Sequence, residues 1–384
     1  MRLAVYTDYS YRRDGDGVWA ERAFALFLGG LAERLGGLTV IGRLDPRVGE
    51  SRYRLPDGIE FVPLPYYESL ARPARAGAAM ARSLAAFWRA LDDVDAVWLL
   101  GPHPLAIAAA LIAAARRRRV VLGVRQDLPE YTRARHPGRA GIQRAASALD
   151  AIYRALARAF PTVVVGPALA RRYRRARRLR EIAVSLVPEA GVATLETALA
   201  RRYDRELHVL SVGRLEQEKD PLLLAEVLAR LRADGARDWR LVVHGEGPLA
   251  APLAERLREL GVADAAELRG YARHEELQAA YRAASLLLHS SATEGFPQVI
   301  VEALAAGLPT VASDVGGIRD AVGEAVLLAP PGDPAAAAAA LERLAADAEE
   351  RERLVRAGLR FAREHSMEAE LDRLASFLRT GSDP

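Results

Sequence analysis

The chain has 384 residues, 51% of them hydrophobic and 27% charged, with a formal net charge of +4. That is enough apolar matter for two full cores, and a charge balance too even to imply nucleic acid by itself. Cysteine is absent, which excludes disulfides, thiolate nucleophiles and cysteine-held metals.

The opening 1-MRLAVYTDYS-10 reads as a strand and lacks the basic-then-apolar pattern of a secretory leader, so a cytoplasmic protein is expected. From there, apolar β-rich runs alternate with Ala/Leu/Arg stretches of helical period. Strands are predicted near 2–8, 38–43, 60–64, 96–101, 120–125, 162–166 and 183–187, with helices near 18–35, 73–91, 104–116, 139–159 and 167–179. The run 104-PLAIAAALIAAA-115 is well short of the roughly 20 residues that span a bilayer and reads as a buried helix. After a weakly periodic linker, 188–206, the alternation resumes. Strands are predicted near 207–212, 240–244, 266–270, 286–290, 310–313 and 325–329, with helices near 219–233, 249–260, 274–284, 297–306 and 334–346. The last segments, 349–364 and 366–379, are helical without a following strand.

Such alternation predicts an α/β protein of two Rossmann-like, doubly wound parallel-sheet domains, residues 1–190 and 206–365. The amphipathic helix at 366–380 is free to pack on either. Ligands of such sheets bind at the carboxyl ends of the strands, so a site is expected where the two domains face each other across a cleft.

Of the 54 basic residues, Lys219 is the only lysine, and the chain has no asparagine. Both use A-rich codons, so a GC-rich genome accounts for the background and makes the retained lysine in 211-SVGRLEQEKD-220 informative. A compact ammonium is wanted where a planar fork will not serve. Arg214 and Lys219 follow a strand that ends in glycine, and two cations at one strand end suit a diphosphate. Further on, 290-SSATEGFPQVIVEALAAGLPTVASDVGG-317 places Glu294 before a Gly-Phe-Pro turn and Glu302 within the helix after it. Pro297 is expected at the first helical position, and the N-terminus of that helix is a ready anion site.

These stretches, with 242-VVHGEGP-248, 268-LRGYARHEEL-277 and 330-PPGDP-334, resemble the donor-site signature of family-4 retaining glycosyltransferases of the GT-B fold, in the expected order through the second domain. The resemblance implies transfer of a sugar from a nucleoside-diphosphate sugar to a hydroxyl acceptor. It further implies that Arg214 and Lys219 neutralise the pyrophosphate and Glu302 binds the ribose. Glu294, Gly295, Phe296, Pro297 and Gln298 would hold the sugar and phosphate, Gly245 the glycine turn, and Tyr271 and Ala272 the base. In the first domain, Gly15 and Gly17 fall where the family has a glycine loop near the phosphates, and His103 where it often has a histidine near the donor sugar. Arg125 and Asp127 are acceptor-side candidates.

The chain departs from the family's Pro-Asn-Gly-Val-Asp crossing with 188-PEAGVA-193, and has Asp320 where glutamate is common. The resemblance implies a front-face reaction without a covalent nucleophile, and no cofactor is expected. Asp14 and Asp16 stand in the first domain while a cation pair already serves the phosphates, so transfer without a metal is expected. Two alternatives are a nucleotide-sugar epimerase of the same fold and a non-catalytic protein that binds an anionic surface. The run 171-RRYRRARRLR-180, with seven arginines, reads as a solvated helix face or as a peripheral contact with an anionic membrane, in preference to nucleic acid.

Overall fold

The computed structural model describes residues 1–49, 51–67, 73–204, 206–233, 235–294 and 296–380. The chain divides into two compact units, Met1–Thr132 with Gly138–Leu186 and Met367–Pro384, and Arg133–Pro137 with Val187–Ser366.

The strands of the first unit are β1 (Leu3–Asp14), β2 (Gly17–Ala20), β3 (Leu38–Leu44), β4 (Tyr53–Arg54), β5 (Ile59–Leu64), β6 (Ala96–Gly101), β7 (Arg119–Val124), β8 (Thr162–Val165) and β9 (Leu179–Ile182). Seven of them lie parallel in the order β5-β3-β1-β6-β7-β8-β9. Strands β6, β7 and β8 are buried along nearly their whole length, as expected of strands covered on both faces. The second unit has β10 (Glu206–Val212), β11 (Asp238–His244), β12 (Ala266–Leu268), β13 (Leu286–His289), β14 (Thr310–Ser313) and β15 (Leu327–Ala329), parallel throughout in the order β12-β11-β10-β13-β14-β15. Separate apolar clusters cover its two faces. One joins the helices Leu222–Arg232 and Pro334–Ala346; the other joins His274–Ala283, Gln298–Ala305 and Gly316–Val322. Both orders reverse direction beside the first strand of the unit, the topological switch point of a doubly wound sheet.

Four local expectations are corrected. Residues 18–23 are not helical: Gly17–Ala20 folds back on Tyr11–Asp14 as an antiparallel hairpin, because Val18 and Trp19 suit a pleated strand and the helix begins only at Phe24. The helix at 167 stops at Arg172 rather than 179, where successive arginines would repel along one helix face. The next strand is Leu179–Ile182, paired from Thr162, instead of 183–187. Helices Leu128–Arg135, Leu195–Leu199 and Gly316–Val322 were not anticipated from periodicity.

The C-terminal helix Met367–Thr380 belongs to the first unit. Its buried stripe of Leu371, Leu374, Phe377 and Leu378 lies against the helix Phe24–Leu35, where Gly30 leaves room for the Leu371 side chain. Arg34 pairs with Asp372, and the Ala183 N–H donates to the Glu370 carboxylate at 3.1 Å. Among the described residues, no helix is long and apolar enough to cross a membrane. Because Leu371 is fully buried, Leu371→Ala is expected to cost about 3 kcal/mol in urea unfolding; an unchanged midpoint would show that the helix is not part of the core.

Candidate active site

In the second unit, the loops after β10 and β13 leave the sheet side by side at the switch point. The chain stitches them together with short polar side chains. The Ser290 hydroxyl donates to the Lys219 carbonyl at 3.0 Å and the Ser291 hydroxyl to that of Glu218 at 3.2 Å. The Ala292 N–H also donates to the Glu218 carbonyl, at 2.9 Å. Ser291 is anchored in turn by its own N–H, which donates to the Ser313 hydroxyl at 3.1 Å. These bonds set the position of Lys219 against the loop that carries Glu294.

Lys219 and Glu294 form an ion pair, with side chains 20% and 14% exposed, so both charges are largely removed from solvent. His289 Nε2 lies 3.2 Å from the same carboxylate oxygen. Burial pushes the Glu294 pKa up, but the Lys219 ammonium and His289 outweigh it and hold the carboxyl at about 2, so Glu294 is an anion at neutral pH. Arg214 is likewise matched, by Glu216 and by Glu218, the latter at 3.0 Å. A pocket at this strand end is lined by Gly213, Arg214, Leu215, Lys219, His289 and Ser290.

The glycines bring backbone close to backbone. The Gly213 N–H donates to the His244 carbonyl at 3.0 Å and the Gly245 N–H to that of Gly270 at 2.8 Å, so the ends of β10, β11 and β12 are laced together. A Cβ on Gly245 would overlap the Gly213 carbonyl oxygen, which is why only glycine fits there. Tyr271, 41% exposed, and Ala272, buried, follow this lacing.

Glu302 lies on the helix Gln298–Ala305 and accepts a hydrogen bond from the Tyr281 hydroxyl at 2.8 Å. Burial raises the Glu302 pKa against the opposing pull of that bond, so its charge is held less firmly than that of Glu294. Pro297 is the cap before this helix rather than its first residue. The Gln298 N–H, expected to face a phosphate, donates to the Phe296 carbonyl at 3.1 Å. Phe296 packs with Val187, Val301, Ala305 and Ala362, and Gly295 lies outside the described residues.

The switch point of the first unit gathers Asp8 after the buried start of β1 and His103 after β6. The His103 ring is 8% exposed and spent on its own unit. Nδ1 accepts from the Leu105 N–H at 3.2 Å and meets the Tyr6 hydroxyl at 3.1 Å, while Nε2 meets the Tyr67 hydroxyl at 3.1 Å. The Leu105 bond places the ring proton on Nε2, donated to Tyr67. Burial, stronger than the attraction of Asp8, holds the His103 pKa down at about 4. The residue is therefore a neutral helix cap with both nitrogens engaged.

Arg125 donates to Asp8 at 2.5 Å and lies over the Tyr9 ring, and Arg43 donates to the Asp8 and Tyr67 carbonyls. Asp127 accepts from the Glu130 N–H at 3.0 Å and pairs with Arg172 at 3.3 Å. Gly17 sits in the hairpin opposite Asp14, and Asp14 and Asp16 are exposed on its turn. Asp8, Tyr6, Tyr67, His289, Ser290 and Ser291 were not singled out in the sequence; of these, only the Ser-Ser pair just past a strand offered a signal that could have been used.

A histidine neutral in the fold with its pKa at about 4, against 6.5 when free, binds fewer protons than the unfolded chain between those values. Stability is therefore lost as the pH falls from 6.5 towards about 4, by up to about 1 kcal/mol per pH unit. His103→Gln is expected to flatten that slope in urea unfolding; a profile parallel to the wild type would contradict the assignment.

The family model described as glycosyl transferases group 1 matches residues 198–361. Among curated relatives, a 2-deoxystreptamine glucosyltransferase of Streptomyces kanamyceticus is 36% identical over 35% of this chain and 35% of its own. A D-inositol 3-phosphate glycosyltransferase of Corynebacterium efficiens is 38% identical over 44% of this chain and 41% of its own. Both matches span less than half of the relative's length. Among solved structures, the sucrose-phosphate synthase of Thermosynechococcus elongatus aligns with a TM-score of 0.74 at 19% identity, covering 99% of this chain and 98% of that one. Anabaena HepE, solved with UDP and glucose, aligns with a TM-score of 0.70 at 18% identity, covering 99% and 100%. Residues 198–361 are thus similar to the glycosyl transferases group 1 family, and the chain as a whole has the two-unit α/β fold, GT-B, of these solved structures.

Proposed function

We propose that this chain transfers a glycosyl group from a nucleoside-diphosphate sugar to a hydroxyl acceptor, with retention of anomeric configuration and without a metal ion. The observation that carries this reading is the meeting of Lys219, Glu294 and Arg214 at the β10/β13 switch point. Two fixed cations at one strand end match a diphosphate, and the N-terminus of the helix Gln298–Ala305 adds the positive end of its dipole. HepE has been solved with UDP and with UDP-glucose, which makes UDP the first nucleotide to try.

In this reading Arg214 and Lys219 bind the pyrophosphate. Glu302, oriented by Tyr281, accepts from the ribose hydroxyls, and Glu294 accepts from hydroxyls of the donor sugar. Phe296, Pro297 and Gln298 shape the turn beneath it, and the base lies along Tyr271 and Ala272. The acceptor side is assigned to the strand ends of the first unit, with Arg125 and Asp127. His103, both of whose nitrogens are engaged, serves there by holding the backbone in place rather than by moving a proton.

The bond from the anomeric carbon to the β-phosphate oxygen breaks, and a bond to the acceptor oxygen forms on the same face. The acceptor's proton passes to the departing phosphate oxygen. Negative charge grows on the pyrophosphate as the sugar becomes oxocarbenium-like, so preorganised cations bind the transition state more strongly than the ground state.

Thermal unfolding with UDP, GDP, ADP and TDP in the presence of a chelator tests this. One nucleotide at a hundredfold excess over its Kd is expected to add about 3 kcal/mol of stability, and Arg214→Ala to lower turnover about 100-fold. Four nucleotides without a shift would sink the reading.

A further inference from the structure

A second concentration of positive charge lies in the first unit and shares only the Asp127–Arg172 pair with the site residues discussed above. The helix Ala140–Ala157 carries Asp150 and Arg154 one turn apart and is capped by Arg158. The short helix Pro167–Arg172 ends beside it in Arg171 and Arg172, and the chain continues through Tyr173 to Arg174 and Arg175.

Asp150 is 1% exposed and accepts from Arg154 Nε at 2.9 Å, Arg172 Nη2 at 2.7 Å and the Tyr173 hydroxyl at 3.0 Å. One buried carboxylate thus fixes two guanidiniums that would otherwise repel each other. Arg172 is also held by Asp127 at 3.3 Å. The arginines surround a concavity of about 320 Å³ lined by Arg154, Arg158, Arg171, Arg172, Arg174 and Arg175. The side chains of Arg158, Arg174 and Arg175 have no hydrogen-bond or ion-pair partner among the described residues. Three of the six guanidiniums lining the concavity, those of Arg158, Arg174 and Arg175, are therefore left without a carboxylate.

A solvated helix face needs neither a concavity nor a buried counter-ion that pins its arginines in place. Guanidinium forks held at the rim of a pocket match the oxygens of a phosphate group, which they meet two at a time. We propose that this arginine-lined concavity binds a multiply charged phosphate group, carried by a phospholipid headgroup or by a soluble phosphoester.

The full chain is tested in two arms at physiological ionic strength. One is co-sedimentation with vesicles of equal parts phosphatidylglycerol and phosphatidylcholine; the other is calorimetric titration with inorganic tripolyphosphate. The variants are Arg174→Glu with Arg175→Glu and, as a charge-matched control, Arg230→Glu with Arg282→Glu on the second unit. Affinity in at least one arm is expected to fall about tenfold or more in the first pair and to stay near wild type in the control. Loss with vesicles alone identifies a headgroup, and loss with tripolyphosphate alone a soluble phosphoester. Equal loss in both pairs would reduce the effect to net charge and overturn the proposal. So would silence in both arms.

Discussion

The arrangement of the second unit depends on one largely buried ion pair, Lys219 with Glu294. Its partners are 75 residues apart in sequence and are brought together because β10 and β13 are neighbours where the strand order reverses. A buried charge of either sign is costly alone. The Lys219 ammonium, with His289, thus keeps Glu294 ionised at a strand end, where a polar ligand can reach both. The Ser290 and Ser291 hydroxyls fix the two loops to each other, so the pair is positioned by the fold rather than by its own attraction.

The same economy governs Arg214, whose charge is matched by Glu216 and Glu218. Every cation proposed to meet phosphate is held by a carboxylate within the unit. The site is thereby stable without surplus charge, and an incoming diphosphate must compete with those carboxylates. The arginine concavity of the first unit is built the other way. There a single buried Asp150 holds Arg154 and Arg172 while the guanidiniums of Arg158, Arg174 and Arg175 stay unmatched.

The parallel strands other than β9, and most helices, could be read from the sequence because their periodicities are long and regular. The short apolar run of three leucines in 286-LLLH-289 marks β13 directly. The turn around Pro297 and the helix carrying Glu302 were visible through proline and glycine punctuation. What stayed hidden was set by partners distant in sequence. Residues 17–20 became a strand because Tyr11–Asp14 were there to pair with. His103 was legible as a candidate near a sugar, but the Tyr6 and Tyr67 hydroxyls that meet its ring, 97 and 36 residues away, were not. Asp150 gave no signal on its helix, and its role appears only when Arg172, 22 residues on, docks against it.

The central claim is that Lys219 meets a diphosphate as a compact point charge, for which arginine is no substitute in a chain that uses arginine almost everywhere else. The most direct measurement is calorimetric titration of UDP into the wild type and Lys219→Arg. The account predicts heat from a single site in the wild type and at least about a tenfold weaker Kd in the variant. Equal affinity in the two proteins would contradict it.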